Sequence, residues 1–206
     1  MGLPTIAVPE YSLIVPSTGK EVKYRPFLVK EEKILLLAME SEDQKQIMQA
    51  TKTVIGNCVV GDYELNTLAT FDIEYIFLWL RGKSKGEEID LKYTCPECET
   101  PIETSFNIED VKIRRIEGHN NKIELTDKLG VVLNYPTMDV QDLIDIETID
   151  TTKTQVDSMF ATIIHCIDYI YDEEKIYAHK DHTQKELEDF LDSLTDVNFQ
   201  KIAKFF

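Results

Sequence analysis

Near the N-terminus apolar and polar positions alternate with a period of two. Tyr11-Ser12-Leu13-Ile14-Val15 and Glu21-Val22-Lys23-Tyr24-Arg25-Pro26-Phe27 read as two strands joined by the turn Pro16-Ser17-Thr18-Gly19. Two strands alone are marginal in water, so this hairpin has to lean on something. The natural support is the helical stretch that follows, from about Lys30 to Val59. There Ile47, Met48, Thr51, Val54, Ile55 and Cys58 recur at steps that place them on one helix face. Ser41-Glu42-Asp43 interrupts the stretch and divides it into two helices.

A further helix is predicted from about Leu65 to Arg81, rich in Phe71, Ile73, Ile76, Phe77, Trp79 and Leu80, with Gly82 placed to end it. It is apolar on more than one face, which argues for a central helix with Trp79 in the core. The period then changes. Glu88–Tyr93 and Ile102–Phe106 read as strands flanking Cys95-Pro96-Glu97-Cys98, and strand-like pieces continue at Val111–Ile116, Lys122–Leu125 and Gly130–Asn134.

From Asp139 to Phe206 the pattern is mostly helical. Met159, Ile163, Cys166, Ile167 and Ile170 form one stripe; Glu186, Leu187, Phe190, Leu191 and Leu194 belong to another helix. Val197, Phe199, Ile202, Phe205 and Phe206 belong to a last one, and Asp172-Glu173-Glu174 reads as a turn. The fold class is α+β, mostly helical, with an N-terminal β-hairpin and a small central β region carrying the Cys-x-x-Cys knuckle. We expect one α+β domain over 1–206, with 87–138 as a β-rich insert; the alternative is a split near Glu87 and again near Asp139.

Composition narrows the function classes. The 206 residues carry 22 Lys+Arg against 38 Asp+Glu, a net charge of −16, which disfavours a generic nucleic-acid binder because a phosphate backbone is held mainly by Lys and Arg. The 43 % hydrophobic content supports a sizeable core. No basic leader and no apolar run near the roughly 20 residues of a membrane span is present, so we expect no membrane association and reduced thiols in a cytoplasm.

The local motif with chemical content is Cys95-Pro96-Glu97-Cys98. Two thiolates two residues apart reach adjacent vertices of a tetrahedron, the shape of a zinc knuckle, yet a structural site needs four ligands and one knuckle supplies two. Cys58 and Cys166 sit on apolar helix faces as small hydrophobes, and His119 is the nearest imidazole in sequence. We therefore expect no bound metal and keep a zinc-knuckle adaptor organised by Cys95 and Cys98 as the alternative reading. A redox role is disfavoured, since a hairpin tip offers no helix dipole to stabilise a thiolate. His165-Cys166 beside Asp168 is not a nucleophile and base, because neighbours on a helix point about 100° apart. His179-Lys180-Asp181-His182 lacks a third ligand and reads as helix-start chemistry, with Asp181 or Thr183 as the cap. No phosphate loop, nucleophile elbow or kinase set occurs; we expect no enzyme, no catalytic residue and no cofactor.

Four pieces occur in order: Leu13–Val22 running through Arg25-Pro26-Phe27 into Lys30-Glu31-Glu32-Lys33; Cys58 and Tyr63-Glu64-Leu65 leading to Phe71-Asp72; Leu80–Gly86; and the Cys95–Cys98 knuckle. This order, with the terminal Leu194–Phe199, resembles the baseplate hub assembly proteins of T-even-type contractile-tailed bacteriophages. The resemblance implies a viral tail assembly protein, made late in the host cytoplasm, that is required for or part of the baseplate hub, with other phage baseplate hub proteins as partners. It implies no catalytic residues, and it leaves open whether the protein stays in the finished virion. Such a protein needs an exposed apolar patch or a sheet edge. The candidates are the N-terminal hairpin edge, Trp79 and its neighbours, and Phe205-Phe206, each with the alternative that it packs in the chain's own core.

Overall fold

The computed structural model describes residues 6–61, 63–147 and 155–206. Backbone proximity divides the chain into two units, Met1–Arg114 and Arg115–Phe206. The stretch expected as one β-rich insert, 87–138, is shared between them.

In the first unit the hairpin forms from β1 (Tyr11–Ile14) and β2 (Glu21–Tyr24), antiparallel with Tyr11 opposite Tyr24. Gly19, at φ +67°, closes the turn, its N–H donating to Val15 O at 2.9 Å. Alternation turns Leu13, Val15, Val22 and Tyr24 inward. The helical stretch divides as its pattern implies, into α1 (Val29–Glu40) and α2 (Gln44–Cys58), with Asp43 capping α2 by accepting from the Lys45 N–H at 2.9 Å. A two-residue strand, β3 (Val59–Val60), then pairs with β2. Val54, Ile55 and Cys58 of the expected α2 stripe are buried, but Met48 is exposed and Ala50 is buried instead.

The central helix begins later and runs further than expected. Leu65–Thr67 is a separate short turn, and α3 spans Thr70–Lys85. Gly82 does not end it. A Cβ there would lie 2.7 Å from Ile108 Cδ1, so Gly82 is the flat spot on which buried Ile108 packs, and Gly86, at φ +109°, ends the helix. Strands β4 (Glu88–Thr94) and β5 (Pro101–Asn107) pair along their full length as a two-stranded ribbon. Val111–Ile116 is not a strand: its alternation finds no backbone to pair with among the described residues, and Ile113 and Ile116 are exposed.

The second unit is built on an antiparallel sheet, β6 (Lys122–Glu124), β7 (Gly130–Leu133), β8 (Ile167–Tyr171) and β9 (Ile176–Ala178), in that order. Here the helical expectation fails. The stripe from Met159 to Ile170 breaks at Cys166, where α5 (Gln155–Cys166) gives way to β8. Ile167, Tyr169, Ile170 and Tyr171 are β-branched or aromatic, and β7, buried at all four positions, takes β8 as the partner on its second edge. Asp172-Glu173-Glu174 is the expected turn, with Asp172 Oδ1 accepting from the Glu174 and Lys175 N–H groups.

The remaining helices are α4 (Met138–Glu147), α6 (Gln184–Asp192) and α7 (Asp196–Ala203). Thr183, not Asp181, caps α6, in a box with Glu186. Leu125, Val131, Leu133, Ile163, Ile164, Ile167, Leu187, Leu191, Ile202 and Phe205 form the core.

Candidate interaction surfaces

The first unit is organised by polar anchors that the apolar pattern does not reveal. Asp72, in the first turn of α3, is fully buried and accepts both the Ser17 N–H (2.9 Å) and the Ser17 hydroxyl from the hairpin turn. At the other end of α3, the Ser84 hydroxyl accepts the Phe27 N–H at 2.9 Å. One helix thus holds both ends of the hairpin segment. Leaving β2, Arg25 donates to Glu31 Oε1 (3.0 Å), to Asn57 O (2.8 Å) and to Pro26 O (3.0 Å). Glu31 is fully buried and also accepts the Leu28 N–H. Burial alone would raise its carboxyl; the Arg25 hydrogen bond and the Leu28 N–H outweigh that and hold it below its ordinary value.

Helix α1 is apolar on both sides, with Ile34 and Leu35 half-buried on the inner face beside Glu31 and Ala38. Glu31 and Ala38 are its buried positions, while Val29 (80 % exposed), Leu36 (54 %), Leu37 (57 %) and Met39 (63 %) face solvent. At 100° per residue Val29 and Leu36 lie within about 20° of each other, with Leu37 and Met39 to either side. They form an apolar patch on the outer half of the helix, interrupted by the exposed Lys33 and Glu40.

The ribbon is two-faced as well. Directly opposed residues share a face, and the register puts Ile89 with Phe106, Leu91 with Thr104 and Tyr93 with Ile102 on one side. Asp90 with Ser105 and Lys92 with Glu103 lie on the other. Toward the tip the apolar side is uncovered, with Leu91 and Tyr93 both exposed. The tip holds the knuckle, with Cys95 half-buried and Cys98 exposed. The Cys95 N–H donates to Thr100 O at 3.0 Å, the Glu99 N–H donates to Cys95 O at 2.9 Å, and Glu99 itself sits at φ +55°. Thr100 Oγ1 lies 3.2 Å from Cys98 Sγ, and the hydrogen bonds from Thr100 hold that thiol below its ordinary value.

The other sequence candidates resolve into packing. Burial pushes the Cys58 thiol up to about 11 and the Cys166 thiol up to about 12, which keeps both protonated at neutral pH, and Cys58 Sγ accepts from Arg25 Nη1 at 3.7 Å. The His119 ring stacks on Tyr135 and Phe205 at centroid distances of 5.9 and 5.1 Å. His179 Nδ1 meets Ile167 O at 3.0 Å, and Asp168 lies on β8 rather than on a helix beside His165. Among the described residues no group of three His, Cys, Asp or Glu is placed to hold a metal ion, so within one chain the knuckle finds no third ligand.

The three expected docking segments divide. The inward side chains of the hairpin and Phe205 pack in their own cores, while β1 is an edge strand of its sheet and Phe206 is about half exposed, edge-on to Phe205. Trp79 is partly buried, with a buried Nε1 that has no hydrogen-bond partner among the described residues. The outer patch of α1 and the apolar ribbon face did not stand out from the sequence. The signals for them were the seven-residue step from Val29 to Leu36 and the alternation Ile89, Leu91, Tyr93.

The family model described as T4 bacteriophage base plate protein matches residues 8–206. The chain belongs to that family. No curated protein and no solved structure matches it. As a member of the family it has a structural or assembly role in the phage baseplate, and its partners are other phage baseplate proteins. No helix among the described residues is long and apolar enough to cross a membrane.

Proposed function

We propose that this baseplate protein is a non-enzymatic assembly protein of the baseplate hub, acting in the host cytoplasm through contacts with other hub proteins. The observation that carries the reading is the exposure of Val29, Leu36, Leu37 and Met39 on the outer side of α1. Exposed apolar patches of this kind mark interaction sites, and a helix presenting such a patch docks by laying it into a groove. The charge of −16 adds a second element. Acidic surfaces meeting basic hub surfaces would speed encounter more than they strengthen the complex.

The experiment is co-expression with the baseplate proteins of the same phage, followed by affinity capture and mass spectrometry. The reading expects hub subunits on the wild-type protein and their loss from a Leu36→Ser/Leu37→Ser/Met39→Ser variant whose circular dichroism is unchanged. Recovery of baseplate proteins from outside the hub, or capture indifferent to the variant, would count against it.

A further inference from the structure

We propose that Cys95 and Cys98 are half of a tetrahedral zinc site that a second copy of the chain completes, joining two β4–β5 ribbons at their tips. The inference is independent of the reading of α1. A structural zinc ion takes four ligands, and thiolates spaced as Cys-x-x-Cys can occupy two of the vertices. Among the described residues one chain offers no third ligand. The knuckle lies at the end of a ribbon paired over seven residues per strand, where a second copy can approach. A two-fold interface presents the same patch from both sides, so two copies supply Cys95, Cys98 and their two symmetry mates.

Two observations support the assignment. The turn is held in a definite shape. Pro96 fixes its own φ, the Cys95 and Glu99 amides are both bonded within the turn, and Glu99 is kept in the left-handed region that a residue with a side chain rarely occupies. Such a conformation persists where the surroundings over-determine it and is concentrated at functional sites. The ribbon below the tip also carries an uncovered apolar face, Leu91 and Tyr93 beside Ile102. A lone two-stranded ribbon is marginal in water, and a second ribbon against that face would bury it.

Charge determines what such a pair depends on. Each copy carries −16, Glu97 and Glu99 at the tip included, so two copies repel. Zn–S coordination between the tips, together with burial of the apolar ribbon faces, is what opposes that repulsion. On binding, each of the four thiols releases its proton to solvent as its Zn–S bond forms, with no change of oxidation state.

The test uses the full chain under reductant, titrated with zinc and followed by analytical ultracentrifugation and elemental analysis. The expected result is a monomer in EDTA and a dimer holding one zinc per two chains. Cobalt in place of zinc should give the absorption of a tetrahedral four-thiolate site. Cys95→Ser and Cys98→Ser, both in the turn, should keep the wild-type circular dichroism and stay monomeric with zinc. Retention of one zinc per chain without a change in mass, failure to retain zinc, or a dimer that survives both EDTA and Cys98→Ser would each overturn the proposal.

Discussion

The buried carboxylate of Asp72 accepts both hydrogen bonds that Ser17 can donate, its backbone N–H and its hydroxyl. This ties the hairpin turn to the start of α3 across 55 residues of sequence. Removing the carboxylate leaves a backbone donor without its acceptor, so Asp72→Ala should destabilise the first unit by about 2–3 kcal/mol and Ser17→Ala by about 1 kcal/mol. A double-mutant cycle read by urea unfolding should return a coupling above about 0.5 kcal/mol. Additive single effects would show that the pair is not an anchor.

The Arg25–Glu31 pair sets both a stability and a pH dependence. Glu31 is fully buried and keeps Lys30 (3.4 Å) and the Leu28 N–H as partners when Arg25 is removed, so Arg25→Ala should destabilise by about 1–3 kcal/mol, the cost of the lost charged hydrogen bond. Since the folded carboxyl lies below its ordinary value of 4.5, the stabilisation is present above that value. It is lost as pH falls through the folded value. Denaturant midpoints measured from about pH 6 down to about pH 3 should drop more steeply for the wild type than for Glu31→Gln. Parallel curves would remove Glu31 from the acid transition.

Gly82 offers a test of packing against propensity. Alanine is favoured over glycine in a helix by about 1 kcal/mol, yet the added methyl would meet Ile108 Cδ1 at 2.7 Å in a site where Ile108 has no exposed surface. Overpacking of that kind costs about 1–3 kcal/mol. Gly82→Ala should therefore give no gain and cost up to about 2 kcal/mol on balance. A stabilised variant would mean that Ile108 is free to move.

Thiol reactivity separates the four cysteines. With Cys58 pushed up to about 11 and Cys166 up to about 12 by burial, the folded protein at neutral pH should react quickly only at Cys95 and Cys98. Labelling with an aromatic disulfide should give two fast thiols per folded chain and four in denaturant. Fast labelling of Cys58 or Cys166 in the folded protein, located by peptide mapping, would contradict the packing described for them.

What was legible in the sequence followed from local rules. The hairpin came from alternation and Gly19, the α1/α2 break from Ser41-Glu42-Asp43, and the ribbon from two alternating runs around Cys95–Cys98. The failures have one physical origin, tertiary demand overriding local pattern. Gly82 looked like a helix stop and is a contact point for a residue 26 positions on. Ile167–Tyr171 continued a helical stripe, but pairing with β7 drew it into the sheet. Asp72 and Glu31 stood among 38 acidic residues, and nothing local marked them as buried. Helix α1 carries apolar residues on both sides, Ile34, Leu35 and Ala38 inward and Val29, Leu36, Leu37 and Met39 outward, so its period did not mark which ones would be left exposed.

Docking of other hub proteins on the outer side of α1 is tested by affinity capture of the folded Leu36→Ser/Leu37→Ser/Met39→Ser variant from cells co-expressing the phage's baseplate proteins. Hub subunits captured by the wild type should be lost from the variant while its circular dichroism and thermal midpoint are unchanged. Undiminished capture of the same subunits by the folded variant would contradict that docking.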